Sequence, residues 1–164
     1  MIRFRQLTLN VVYFLNVLLI FLLLVEDKVH LPVILQVTGR MHPLVLHFPL
    51  VLLFVGIILE WLTKQKNFQH PAALSITSYV FYLFAVTAAI TALFGFFLYK
   101  EGSYLGEEVI RHKWTGTAVS LLAALLVWLK EKPRVYYYAG LGVTTLVLVL
   151  TGHLGSEITH GKGF

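Results

Sequence analysis

Seven histidines are the residues of this chain best suited to chemistry, and five of them sit in three short motifs. His42 and His47 stand in "GRMHPLVLHFP" at residues 39–49, flanked by Pro43 and Pro49 at the threshold of an apolar run. His112 stands in "RHKWTG", and His153 and His160 in "TGHLGSEITHG". Neutral imidazole is a common metal ligand. The chain has no cysteine, which excludes disulfides, thiolate metal sites, iron–sulfur clusters and covalent haem attachment through CxxCH. Met1 and Met41 are the only thioethers, so the soft ligand sets that select Cu(I) are poorly supplied. Zinc would accept three imidazoles from His47, His112, His153 and His160 with a carboxylate such as Glu157 or Glu108. Haem b would take two imidazoles from opposed helices.

The elements that must position these groups are membrane helices. Of the 164 residues, 58% are hydrophobic and only 13% charged, against about a quarter charged in a soluble domain; the mean hydropathy is +0.80. Leu7–Val25, Leu44–Leu62, Leu74–Tyr99 and Val135–Leu154 are each long enough to cross a hydrocarbon core of about 30 Å. A fifth run, Trp114–Leu129, is marginal unless extended back to Val109, which draws in Arg111, His112 and Lys113. The expected fold is an all-α integral membrane protein with five transmembrane helices. Residues 1–30 form an N-terminal anchor and residues 39–164 a four-helix up-down bundle. The first run follows Arg3 and Arg5 like a signal peptide, but it is long and "VEDK" offers no cleavage site, so it reads as an uncleaved anchor. Asn10 and Asn16 within it need a partner in lipid.

Charge sets the expected orientation. The net charge of +5 comes from basic residues scattered over loops, which fits membrane orientation and not nucleic acid. Arg3, Arg5, Lys64, Lys66, Lys130, Lys132 and Arg134 would face the cytoplasm, and Lys28, Arg40, Lys100, Arg111, Lys113 and Lys162 the other side. That bias is slight, but two short, purely basic loops favour it. The N-terminus is then cytoplasmic and the C-terminus periplasmic, in a bacterial inner membrane. This topology leaves only His70 inside and puts His30, His42, His47, His112, His153 and His160 at the outer side. A single interfacial histidine most often bonds a loop carbonyl or a headgroup; six on one face point to function.

Within this set, His47 and His112 are the expected axial ligands of a haem b, with His153 the nearest substitute and His42 beside them. Arg40, Arg111 and Lys113 would pair with propionates, and Gly116 would give clearance near His112. Small-residue stripes on the helices, Thr87, Thr91 and Gly95 among them, are first of all close-packing signals. Pro49 has two readings. It frees the carbonyl of Val45 as an acceptor for an imidazole N–H, or the regular helix begins only at Pro49.

"RMHPLVLHFPLVLLFVG", "RHKWTG" and "TGHLGSEITHG" resemble the three signature segments of the bacterial membrane family called domain of unknown function 2231, over roughly residues 39–164. The resemblance places His42, His47, His112, His153 and His160 on motif positions. Related chains often continue into a planctomycete-type c-type cytochrome domain, which implies a redox neighbourhood. This sequence ends at Phe164, so a cytochrome c partner is expected as a separate subunit.

The expected function is a haem b-binding membrane subunit that transfers electrons near the periplasmic face, with a c-type cytochrome and other membrane subunits as partners. The alternatives are a non-redox structural or anchor subunit and an outer-side Zn or Cu site. A transporter lacks a broken midplane helix and a visible inverted repeat, and a hydrolase lacks a nucleophile motif. An electron-transfer or structural role is therefore expected over independent enzyme activity.

Overall fold

Proline and glycine punctuate the apolar runs. In the computed structural model, which describes residues 2–102 and 104–161, every regular element is helical among those residues. The helices are α1 (Ile2–Leu24), α2 (Val33–Gly39), α3 (His42–Val45), α4 (His47–Leu62), α5 (Pro71–Glu101), α6 (Glu107–Leu129) and α7 (Arg134–His160). A 3₁₀ turn, Lys66–Phe68, lies between α4 and α5. Pro71 opens α5 with a fixed φ and no N–H to lose, while the His70 ring accepts the Ala72 N–H at 3.2 Å. Gly102, at φ 80°, closes α5 in the left-handed conformation that only glycine adopts without cost. Glu107 and Glu108 open α6, where carboxylates complement the helix dipole. Lys162, placed above among the outer basic residues, lies outside the described residues.

Among the described residues, four helical segments are long and apolar enough to cross a membrane: Arg5–Leu24, His42–Leu62, Pro71–Glu101 and Arg134–His160. This corrects the expected five. The missing one is α6, whose apolar run is diluted by Thr115, Gly116, Thr117 and Ser120 and preceded by Arg111 and Lys113. Val119, Ser120, Ala123, Ala124, Leu126 and Val127 of α6 are buried against neighbouring helices instead.

The helices pack in chain order, α4 on α5, α5 on α6 and α6 on α7, and α1, α2 and α3 lie against α5. The expected closure into a four-helix bundle is not seen, because α4 and α7 form no extensive backbone interface. They meet through long side chains, where Tyr137 and Tyr138 donate to the Glu60 carboxylate at 3.1 and 3.2 Å. The main core fills the space around α5 with Leu53, Phe81, Phe84, Ala85, Ala88, Val119, Ala123 and Leu126. Gly39 lets α2 touch α5 directly, since a Cβ there would meet the Phe97 and Leu98 backbone.

Helix α1 is fastened by a polar clasp. Ser120 donates to Asn16 Oδ1 at 2.8 Å, and Asn16 Nδ2 donates to the Val12 carbonyl at 2.9 Å, all buried. Asn16 thus finds the partner its burial demands, whereas Asn10 is exposed. Arg5 pairs with Glu131 at one end of α1. Interhelical hydrogen bonds in membranes contribute about 0.6 kcal/mol on average and up to about 1.7. A double-mutant cycle of Asn16→Ala and Ser120→Ala, read by denaturation in micelles, should return a coupling in that range; additive effects would show that the clasp does not hold α1.

Candidate functional site

The space that α4 and α7 leave open is a cavity of about 560 Å³ at the end of the molecule that carries the histidines. Helices α3 to α7 all contribute to its wall, which includes His42, His47, His112 and His160. Its depth is lined by small or apolar groups, among them Ala88, Ala92, Val119 and Leu148. Tyr104, Lys113, Thr159 and His160 add polar groups.

Two of the imidazoles face each other. The His42 and His112 rings have centroids 5.9 Å apart and planes at 82°. Each ring is fixed by the same device. His42 Nδ1 lies 3.0 Å from the Thr91 carbonyl on α5, and His112 Nδ1 lies 3.0 Å from the Thr151 carbonyl on α7. A carbonyl can only accept, so Nδ1 carries the hydrogen and, in the neutral ring, Nε2 carries the lone pair.

Helix geometry explains how an imidazole reaches a carbonyl that is already in use. In a regular helix the carbonyl at position i accepts the N–H of residue i+4, and its second lone pair is screened by the side chain at i+4. At Thr91 that residue is Gly95, and at Thr151 it is Gly155. The rings occupy the space a side chain would take: a Cβ on Gly95 would lie 3.1 Å from His42 Cε1, and one on Gly155 would lie 3.1 Å from His112 Cε1. Both threonine hydroxyls are turned away from the imidazoles, bonding their own helices at Thr87 and Val147, each at 2.7 Å.

The other candidate residues are placed differently. His47, expected to oppose His112, is exposed at the cavity wall, with Nδ1 3.3 Å from the Leu44 carbonyl. The ring that opposes His112 is that of His42. His153 lies outside the cavity, exposed, and 3.6 Å from the Glu157 carboxylate. Its face of α7 points outward, since Leu146 and Val149 are 72% and 59% exposed. Gly116 lines the cavity, and a Cβ there would touch only the Thr151 methyl, at 3.9 Å. Among the described residues, no three His, Asp or Glu side chains are grouped closely enough to hold a metal ion, so His47, His112, His153 and His160 are not gathered as a zinc set.

Each cation expected to meet a propionate has a carboxylate beside it. Arg40 Nε donates to Glu101 at 2.9 Å, which raises the guanidinium above its ordinary pKa. Arg111 pairs with Glu107 one turn away, both exposed. Lys113 is the buried one: its ammonium lies 2.8 and 2.9 Å from the Glu26 oxygens and 4.2 Å from the centre of the Tyr99 ring. Lys100 donates to the Glu26 carbonyl at 2.6 Å.

Helix entry at Pro49 takes a third form. The regular helix α4 starts at His47, after the single turn of α3 and a continuing helical Leu46. The freed carbonyl of Val45 faces the Thr91 hydroxyl at 3.4 Å and not an imidazole. Sequence reasoning named Thr91 and Gly95 only as a packing stripe, and did not name Thr151 or Gly155 as site residues. The signal was present in "TALFG" and "TGHLG", which share the spacing TxxxG.

A family model described as "Predicted membrane protein (DUF2231)" matches residues 40–163. No curated protein and no solved structure gives a significant match. The match begins after α1 and Glu26, so the carboxylate partner of Lys113 comes from outside the matched region.

Breaking a fully buried ion pair costs about 3–5 kcal/mol. The Lys113 side chain is 7% exposed and Glu26 23%, so Glu26→Ala should cost somewhat less, about 2–3 kcal/mol. Adding Lys113→Met to Glu26→Ala should restore much of that loss in micellar denaturation, whereas no recovery would show that the pair does not act as a unit.

Proposed function

The chain belongs to the DUF2231 family of predicted membrane proteins, and on that premise we propose that it is a membrane subunit whose His42 and His112 hold a haem b for electron transfer. The observation that carries this reading is the opposed pair of imidazoles, 5.9 Å between centroids, each with Nδ1 on a carbonyl. Two rings that present Nε2 lone pairs to one centre, at a metal–nitrogen distance of about 2 Å, stand with centroids about 6 Å apart when the three are in line. The centroid separation of the pair is close to that value.

The chain's own residues meet the other needs of a flat, apolar ligand. Gly152 leaves open space at the cavity wall and a Cβ on Gly116 would only touch the Thr151 methyl, and a volume of about 560 Å³ lies within the range of small-molecule sites. The Thr91 and Thr151 carbonyls fix the ring tautomer and orientation, as second partners of ligating histidines do. Of the three cations only Lys113 lines the cavity, and Glu26 already answers its charge; Arg111, next to His112 but off the wall, is held only by the weak exposed pair with Glu107. Haem b, if held by His42 and His112, would supply one-electron redox chemistry.

Placement favours transfer at one face of the membrane. The opposite end carries Glu60, Tyr137, Tyr138 and Lys130, whose ammonium burial pushes below its ordinary pKa while Glu60 opposes that shift. Its only histidine is His70, engaged as the cap of α5. A single centre near one face hands electrons to a partner on that face. We assign that face to the periplasm of the inner membrane and the partner to a separate c-type cytochrome, with further membrane subunits in the complex. Support comes from the basic short loops at the other end and from the family resemblance.

The test is a dithionite-reduced minus oxidised spectrum of the purified protein, with metal analysis of the same sample. The expected result is a b-type α-band and iron in excess of zinc and copper. His42→Ala and His112→Ala should each abolish the band, and His153→Ala should keep it. A band absent from the wild-type protein expressed with ample haem would overturn the assignment, and zinc or copper in place of iron would redirect it to a metal-ion site.

A further inference from the structure

The two imidazole seats repeat one another in three features. In each, a histidine in the first two turns of one arm of a hairpin reaches a threonine carbonyl in the C-terminal half of the other, at 3.0 Å. In each, the residue four places on is a glycine whose missing Cβ leaves room for the ring, with Cε1 at 3.1 Å. In each, the threonine hydroxyl bonds back four residues at 2.7 Å. The first hairpin is α3–α4 with α5, and the second is α6 with α7. The histidine-to-threonine separations, 49 and 39 residues, differ by the greater length of the first hairpin.

We infer that the chain is a tandem of two α-hairpins, each contributing one equivalent half-site in which a TxxxG pair seats a histidine in its Nδ1–H form. Two hairpins that run in the same direction and bring like residues together are related by an axis along the helices, the arrangement of parallel repeats in membrane proteins. His42 and His112 meet across that axis. A ligand at the site therefore takes one nitrogen lone pair from each hairpin, and neither half suffices alone. Gly95 and Gly155 act as positioning residues: each opens a carbonyl to the ring and thereby fixes which nitrogen is free.

The proposal rests on the haem reading only for the identity of what the imidazoles hold. The half-sites themselves are a property of the polypeptide, and they can be read without any cofactor.

The experiment is solid-state ¹⁵N NMR of the full chain labelled at histidine, in lipid bilayers at neutral pH and without added haem. Among seven histidines, His42 and His112 are expected in the neutral Nδ1–H form, the minor tautomer of free histidine, with the exposed His47 ring on the Leu44 carbonyl as a third. One Nδ1–H signal should vanish in His42→Gln and a different one in His112→Gln, while that of His47 remains in both. Gly95→Ala should displace the His42 signal alone, and Gly155→Ala the His112 signal alone. In haem-loaded protein each glycine change should lower haem affinity about 10–100-fold, the cost of losing a second partner of a ligating histidine. An Nε2–H or doubly protonated ring at either position in the wild-type protein would overturn the proposal, whether or not the alanine variants fold. Both Nδ1–H signals in a protein that lacks a b-type band would uphold the half-sites and reject haem.

Discussion

A helix carbonyl has two lone pairs and uses one. Whether the second can serve a neighbouring side chain depends on the residue one turn later, whose Cβ stands over it. Glycine at that place opens the carbonyl, and at Thr91–Gly95 and Thr151–Gly155 an imidazole occupies the opening. In an apolar surrounding, where each unsatisfied polar group is costly, this is a stable way to bury half of a histidine. One nitrogen is paired and the other is left to face a cavity. The site, the approach of α3 and α4 to α5, and the approach of α6 to α7 all depend on these two openings.

The same constraint accounts for the open cavity. Helix α5 packs against α4 on one side and α6 on another, and α6 packs on α7, so α4 and α7, the outer members of the row, share no extensive interface. At the end opposite the histidines they are drawn together by Glu60 between Tyr137 and Tyr138. Helix α1 and the segment after it brace this arrangement from outside the matched region. Asn16 holds Ser120, and Glu26 neutralises Lys113 beside His112. A charge adjacent to the site is thus answered by a carboxylate that the matched region does not supply.

Much of the architecture was legible in the sequence because it depends on composition and on local chemistry. Apolar run lengths fixed the long helices, and alternation of the helices sorted six histidines to one end with His70 at the other. The count of spans was less secure, since α6 carries hydroxyl and charged residues that reflect burial among helices and not contact with lipid. Charge pairing was illegible for the same reason that ligand pairing was. Lys113 and Glu26 are 87 residues apart, and nothing local to either predicts the meeting.

The sequence by itself determined that this is a helical membrane protein with its imidazoles concentrated at one end, because hydrophobic length and helix alternation are properties of the chain read in order. Only the tertiary structure decided which imidazoles meet. His42 and His47 lie little more than one helical turn apart and look equivalent in "HPLVLH", but the ring that turns inward is the one across from a glycine on the adjoining helix. His42 finds Gly95 there, His112 finds Gly155, and His153 lies on a face with exposed Leu146 and Val149. The choice belongs to the neighbouring helix, so it is written in residues some forty to fifty positions away from the histidine.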